Sequence, residues 1–247
     1  MFSYLKAENL KLKHTLLKKL IFLFPIFCLI PAKFVGYCGF AASMLNYWCI
    51  FILPVVIPVF CGLINQKEIK YHKYRLVYSL PINLKKIWIA KNLLCIFYLF
   101  LSALFITIIT CLINRTYIVY NIISTENLNI FIGFMIIFLT TLWQVPLCMA
   151  LTKKFGLISI TVANLILNMI LTYMDITNSS YFWLSPYAWG ARILCTTNHV
   201  MVNGLEATDA SLYLSTLTII LLCFVSTIIC AAITCLTANR FTKLEAK

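Results

Sequence analysis

The stretch NQKEIKYHKYRLVYSLPINLKKIWIAKN, residues 65–92, decides how the chain is read. It holds seven of the twenty Lys and Arg residues and lies between apolar runs at 44–64 and 93–113. Apolar runs of about twenty residues match a hydrocarbon core of roughly 30 Å at about 1.5 Å rise per residue. The stretch is therefore a polar loop between two membrane spans. Within it, residues 66–79 contain no helix breaker, and Tyr71, Tyr74 and Tyr78 share one helical face. Pro81 cannot extend that helix and pushes Leu80 toward an extended conformation. Asn83 is placed to cap a new helix that runs through Trp88 and Lys91 into the next span.

Working outward, the remaining cations follow the same alternation. Residues 1–19, 152–156 and 239–247 carry five, two and three Lys or Arg, while only Lys33, Arg115 and Arg192 lie elsewhere. Cationic loops stay on the cytoplasmic side. The pattern predicts an all-α integral membrane protein, one domain over residues 1–247, with six spans and both termini inside. The spans are placed at 20–37, 44–64, 93–113, 129–151, 157–173 and 212–236. A chain that is 62% hydrophobic and 11% charged has more apolar surface than one soluble core can bury. Topology accounts for the basic excess without nucleic acid as a partner; Lys33 is expected to snorkel to the outer interface.

Two flanking segments have their own character. Residues 2–19 mix Phe2, Leu5, Leu12 and Leu16 with five lysines and contain no Gly or Pro, so one interfacial helix is expected, with Asn9 intruding on its apolar stripe. A basic stretch of this length with no small-residue cleavage site is not expected to be a signal peptide. Residues 181–194 are aromatic but too short to span, so they read as an interfacial or re-entrant element broken near Pro186 and Gly190.

Catalytic, cofactor and metal sites are not expected. The spans hold no carboxylate or histidine of the kind that couples ion transport. No Walker A, H-E-x-x-H or G-x-S-x-G motif occurs. The eleven cysteines lack zinc spacing and read as small membrane hydrophobes, with a Cys38–Cys195 bridge left open. ATP must be handled by another chain, for which residues 66–81 are the docking point. Thr161, Asn164, Asn168 and Thr172 share a face of the fifth span, either bonding neighbouring helices or lining a substrate path.

The opening Tyr4-Leu5-Lys6-Ala7-Glu8-Asn9-Leu10-Lys11-Leu12-Lys13 resembles permease subunits of lantibiotic self-protection transporters, of the MutE/EpiE type within the ABC-2 permeases. The loop, with Glu68, the Leu80-Pro81 break and the distal Lys85, Lys86 and Lys91, has the broader ABC-2 pattern. The resemblance implies a subunit that pairs with a second, different six-span permease and two copies of a cytosolic ATPase. The assembly extracts cationic antimicrobial peptide from the cytoplasmic membrane of a Gram-positive bacterium. It also implies an elbow helix at 2–19, a coupling helix at 66–79 and re-entrant helices before the last span. On this reading Glu68, Tyr74, Leu76, Leu80 and Pro81 couple to the ATPase. Trp183, Tyr187, Trp189, Glu206 and Asp209, with Asn164 and Asn168, are substrate-facing candidates. Export of another substrate, and a non-transporting scaffold or sensor, stay open as alternatives.

Overall fold

The computed structural model of the protein describes residues 1–13, 15–34, 39–68, 83–119, 127–177, 179–199, 201 and 213–243. Among these residues the secondary structure is helical throughout. In chain order the helices are α1 (Phe2–Lys11), α2 (Leu17–Phe34), α3 (Phe40–Tyr47) and α4 (Leu53–Lys67), the last two joined by a π-helical turn at Trp48–Ile52. They continue as α5 (Leu84–Val119), α6 (Asn127–Thr141), α7 (Gln144–Phe155) and α8 (Leu157–Thr177). A 3-10 turn at Ser179–Leu184, α9 (Ala188–Asn198) and α10 (Thr216–Lys243) complete the described chain.

Three stretches are long and apolar enough to cross a bilayer: Phe40–Gln66, Leu84–Arg115 and Thr216–Thr242. The bent pair α6–α7 makes a fourth if it is one span. The apolar part of α8, Leu157–Tyr173, is shorter. α2 spends three of its eighteen residues on Lys18, Lys19 and Lys33. Length and composition thus support a helical membrane protein with three or four spanning helices, fewer than the six expected from charge alternation.

The long helix α5 is the hub, packing against α1, α2, α6 and α10, while α4 packs against α7 and α8. Its start follows the sequence reading: the Asn83 Oδ1 accepts from the Lys86 N–H at 3.2 Å, and the Asn83 carbonyl accepts from Ile87. A side-chain oxygen at this position satisfies a donor that the first turn leaves open. Near the start of α5, Gly156 (φ +86°) terminates α7, its N–H bonded to Thr152 O, and turns the chain into α8. A Cβ at Gly62 would fall 2.7 Å from Leu157 Cδ1, which is why α4 and α8 can approach so closely.

Two expectations are corrected, and the span placed at 129–151 gains a bend that the sequence reading did not specify. The N-terminal helix is not continuous to residue 19. It ends at Lys11, because Leu12, Lys13 and Thr15 donate to carbonyls three residues back, and the Thr15 hydroxyl also bonds Leu12 O. This tightening closes a helix without Gly or Pro. The fourth apolar run is not one straight helix but bends by 50° between Thr141 and Gln144. Pro146 has no N–H for Leu142 O, so Val145 N takes that carbonyl, while the Thr140 and Thr141 hydroxyls bond back onto their own helix. Gly190 does not break the aromatic element: it lies inside α9, where an added Cβ would be 3.0 Å from Cys49 Sγ. The break falls only at Pro186, between the 3-10 turn and α9.

Candidate functional site

The described residues place four charges together at the ends of α1, α4 and α5. Lys91 is 0% exposed and Glu68 is 8% exposed. The Lys91 ammonium donates to Glu68 Oε2 in a close ion pair, and Lys11 Nζ donates to Glu68 Oε1 at 2.9 Å and to Glu8 Oε1 at 2.5 Å. Lys91 also reaches Asn65 Oδ1 at 3.5 Å, whose amide donates to Met149 O at 3.1 Å. The result is a neutral cluster of two acids and two bases. Burial alone would raise the Glu68 carboxyl, but the Lys91 charge and the hydrogen bonds from Lys91 and Lys11 hold it below the usual carboxylate range. Burial likewise opposes the Lys11 charge, and Glu8 and Glu68 outweigh it, so its ammonium is held above the ordinary lysine value.

The cluster has a topological consequence. Glu68 is the last described residue before the polar loop, and α5 begins just after it. Their ion pair ties together both flanks of residues 69–82, and Lys11 ties α1 to the same point. Asn9 adds a second tie, accepting from the Tyr98 hydroxyl at 2.6 Å. α1 therefore buries Glu8 and leaves Phe2 81% exposed, while Asn9 stays exposed and reaches Tyr98 from the rim. Of the expected coupling residues, Glu68 faces inward in this cluster; Tyr74, Leu76, Leu80 and Pro81 lie outside the described residues.

A second polar network, without charge, sits deeper in the bundle. Pro58 has no N–H for Pro54 O, and Pro54 has none for Ile50 O, so α4 and its π-turn lose two ordinary helical bonds. Asn164 Nδ2 donates to Pro54 O at 2.8 Å, and Asn168 Nδ2 donates to Ile50 O at 2.9 Å. Two asparagines four residues apart on α8 answer two prolines four residues apart on α4. Asn164 also donates to Gln144 Oε1 at 3.2 Å and accepts from the Tyr187 hydroxyl at 2.8 Å. The pattern recurs: Ser102 Oγ donates at 3.0 Å to Ile21 O, the carbonyl deprived by Pro25. Ser226 Oγ donates to Leu139 O and Thr140 O at the α6–α7 bend. In a medium without water, freed carbonyls need such donors.

The aromatic element at 181–194 divides. Trp183 is 49% exposed and packs on Phe182 with ring centroids 4.6 Å apart. Trp189 is 3% exposed, and its Nε1 has no hydrogen-bond partner among the described residues. Tyr187 meets Trp143 edge-on at 4.8 Å while bonding Asn164. Glu206 and Asp209 lie outside the described residues, as does Cys38; Cys195 is buried on α9. Asn164 and Tyr187 thus bond each other and Asn168 bonds the carbonyl one turn before Asn164's on the same helical stretch, whereas Trp183 is exposed and Trp189 buried. Among the described residues no group of His, Cys, Asp and Glu is arranged to hold a metal ion.

Sequence reasoning missed the charge cluster and the asparagine–proline pairing. The cluster joins residues 57 and 23 positions apart, with no local signature. The pairing did have one, the matched spacing of Pro54 and Pro58 with Asn164 and Asn168. Compared with known proteins, the chain matches no family model, no curated protein and no solved structure.

Proposed function

We propose that this chain is the membrane-spanning permease subunit of an ATP-driven exporter of the ABC-2 type, one that removes cationic antimicrobial peptides of the lantibiotic class from the cytoplasmic membrane of a Gram-positive bacterium. In this reading the chain spans the membrane six times with both termini inside, α2 and α8 supplying the remaining crossings. Its partners are a second, different permease and two copies of a cytosolic ATPase. The chain itself hydrolyses nothing.

The observation that carries the reading is the ion cluster at the flanks of residues 69–82. A loop driven by a partner transmits force only if its ends are fixed to the helices that must move. Glu68 and Lys91 fix both flanks of this loop, and Lys11 extends the connection to α1. Peptide meets the opposite end, where Trp183 offers an exposed indole; the sequence candidates for attracting a cationic peptide, Glu206 and Asp209, lie outside the described residues. Movement of α9 reaches α8 and α4 through the Tyr187–Asn164–Pro54 chain of hydrogen bonds.

The test is purification of the tagged chain from its native cells in mild detergent, with identification of the chains that accompany it. An ATPase and a second polytopic permease in stoichiometric amount are expected, together with loss of lantibiotic resistance when this chain is deleted. A chain that purifies alone, from cells whose resistance does not change on deletion, would refute the export reading.

A further inference from the structure

We propose that the cavity between the start of α5 and the ends of α7 and α10 is a binding site for the headgroup of an anionic phospholipid, with phosphate as the recognised group. The cavity has a volume of about 550 Å³ and is lined by Lys153, Lys154 and Arg240 together with Trp88, Phe155 and Phe241. Three cations converge on it from two helices, and its described lining contains no acid. Its floor is rigid: Trp88 stacks on Phe241 with centroids 4.8 Å apart, and the Trp88 Nε1 is fixed by Thr237 Oγ1 at 2.9 Å. Lys153 Nζ lies 4.2 Å from the Phe241 centroid and Lys154 Nζ 5.0 Å from that of Phe155, so ring faces hold both ammonium groups at the cavity wall.

Position selects the lipid over a soluble anion. The cavity lies at the same end as Lys91, three residues from Trp88, where cytoplasmic lipid headgroups collect. Apolar surface adjoins the cations: Ala150, Leu151 and the 53% exposed Phe155 line the α7 side of the cavity, and Leu236, 64% exposed, lies one turn before Arg240 on α10, so the first acyl carbons can lie against them. A lipid has both parts this surface matches, a phosphate and a hydrocarbon tail. A basic pocket between helices on the cytoplasmic side is the arrangement that takes anionic headgroups. The inference rests on the proposed topology, with this end of the bundle at the cytoplasmic face, and is independent of what the chain exports.

The experiment is native mass spectrometry of the purified full chain, delipidated and titrated with phosphatidylglycerol, with phosphatidylcholine, and with soluble glycerophosphoglycerol or inorganic phosphate as competitors. One phosphatidylglycerol should be retained in preference to phosphatidylcholine. Retention should fall roughly fivefold for each cation removed, hence more than tenfold in the K153Q/K154Q double variant. K153R/K154R should retain the lipid, and K18Q/K19Q, which removes equal charge elsewhere, should stay within twofold of the unaltered chain. R240Q supplies an independent variant should K153Q/K154Q fail to fold. Undiminished retention in K153Q/K154Q and R240Q, an equal loss in K18Q/K19Q, or phosphatidylcholine held as tightly would overturn the site. Full displacement by the soluble phosphates would overturn the lipid as its occupant.

Discussion

The bundle solves the same problem in two chemically opposite ways. At the ends of α1, α4 and α5, helices are tied by four charged groups; between α4 and α8 they are tied by neutral amides bonded to carbonyls that prolines have left open. The difference follows depth. A charge near the aqueous edge can be balanced by a neighbour at moderate cost, whereas the same charge among apolar helices carries a desolvation penalty of several kcal/mol. An amide carries no charge and still supplies the donors that a broken helix needs. The charge cluster is thus the sensitive joint and the amide network the tolerant one.

That contrast ranks the expected effects. Removing one member of the buried pair, as in Lys91→Met, leaves the Glu68 carboxylate with the half-exposed Lys11 as its remaining cation and should destabilise the purified chain by up to about 3–5 kcal/mol. Thermal unfolding in detergent reads this, and Glu68→Leu added to Lys91→Met should recover most of the loss. A double variant as unstable as the single would break the account of the cluster. The same joint should depend on pH with a defined sign. The Glu68 carboxyl is depressed in the folded chain, so its contribution is present above the unfolded carboxylate value and is lost as pH falls through the lower folded value. The Lys11 ammonium is raised, so its contribution is present below the unfolded lysine value and is lost as pH rises through the higher folded one. Proteolytic release of α1 should therefore stay slow between about pH 5 and 10 and accelerate outside that window.

The amide network should give smaller and separable losses. Asn168→Leu leaves Ile50 O without its donor and should cost about 0.6–2 kcal/mol. Pro54→Ala returns a backbone N–H to that carbonyl, so the double variant should cost less than the sum of the two singles. Strict additivity would mean that Asn168 does not serve the proline. Smallest of all is the tryptophan split. Trp189→Leu, on a buried residue, should lower the unfolding temperature measurably, while Trp183→Leu should change stability by less than about 0.5 kcal/mol. Any effect of Trp183→Leu on peptide resistance would then report on substrate and not on folding.

The same depth rule explains what was legible in the sequence. The Asn83 cap, the continuation of the helix through Trp88 and the break at Pro186 are local, set by a few adjacent residues, and they stand as read. The end of α1 at Lys11 is local too, yet it uses backbone bonds and Thr15 in place of Gly or Pro, so its signal was overlooked. The bend after Thr141 combines Pro146 with hydroxyls from two helices, which no single window contains. The burial of Glu8 ran against the apolar stripe because Lys11, its neighbour one turn on, is itself drawn to Glu68 of α4, and Asn9 is held by Tyr98 of α5; both contacts are tertiary. Polar atoms in a membrane bundle are decided by which carbonyl or charge lacks a partner on another helix. Spacing identifies the elements, but the partners are non-local.

The central claim, that the loop between Glu68 and Lys91 is worked by a partner ATPase, is tested most directly by Leu76→Asp. Leu76 is none of the residues of the ion cluster, so the substitution alters the proposed docking segment and keeps the anchoring side chains. The measurement is recovery of the ATPase with the tagged chain from native membranes, normalised to the amount of inserted chain. The account predicts normal insertion with the ATPase largely lost and peptide resistance reduced. Wild-type ATPase recovery together with undiminished resistance would contradict it.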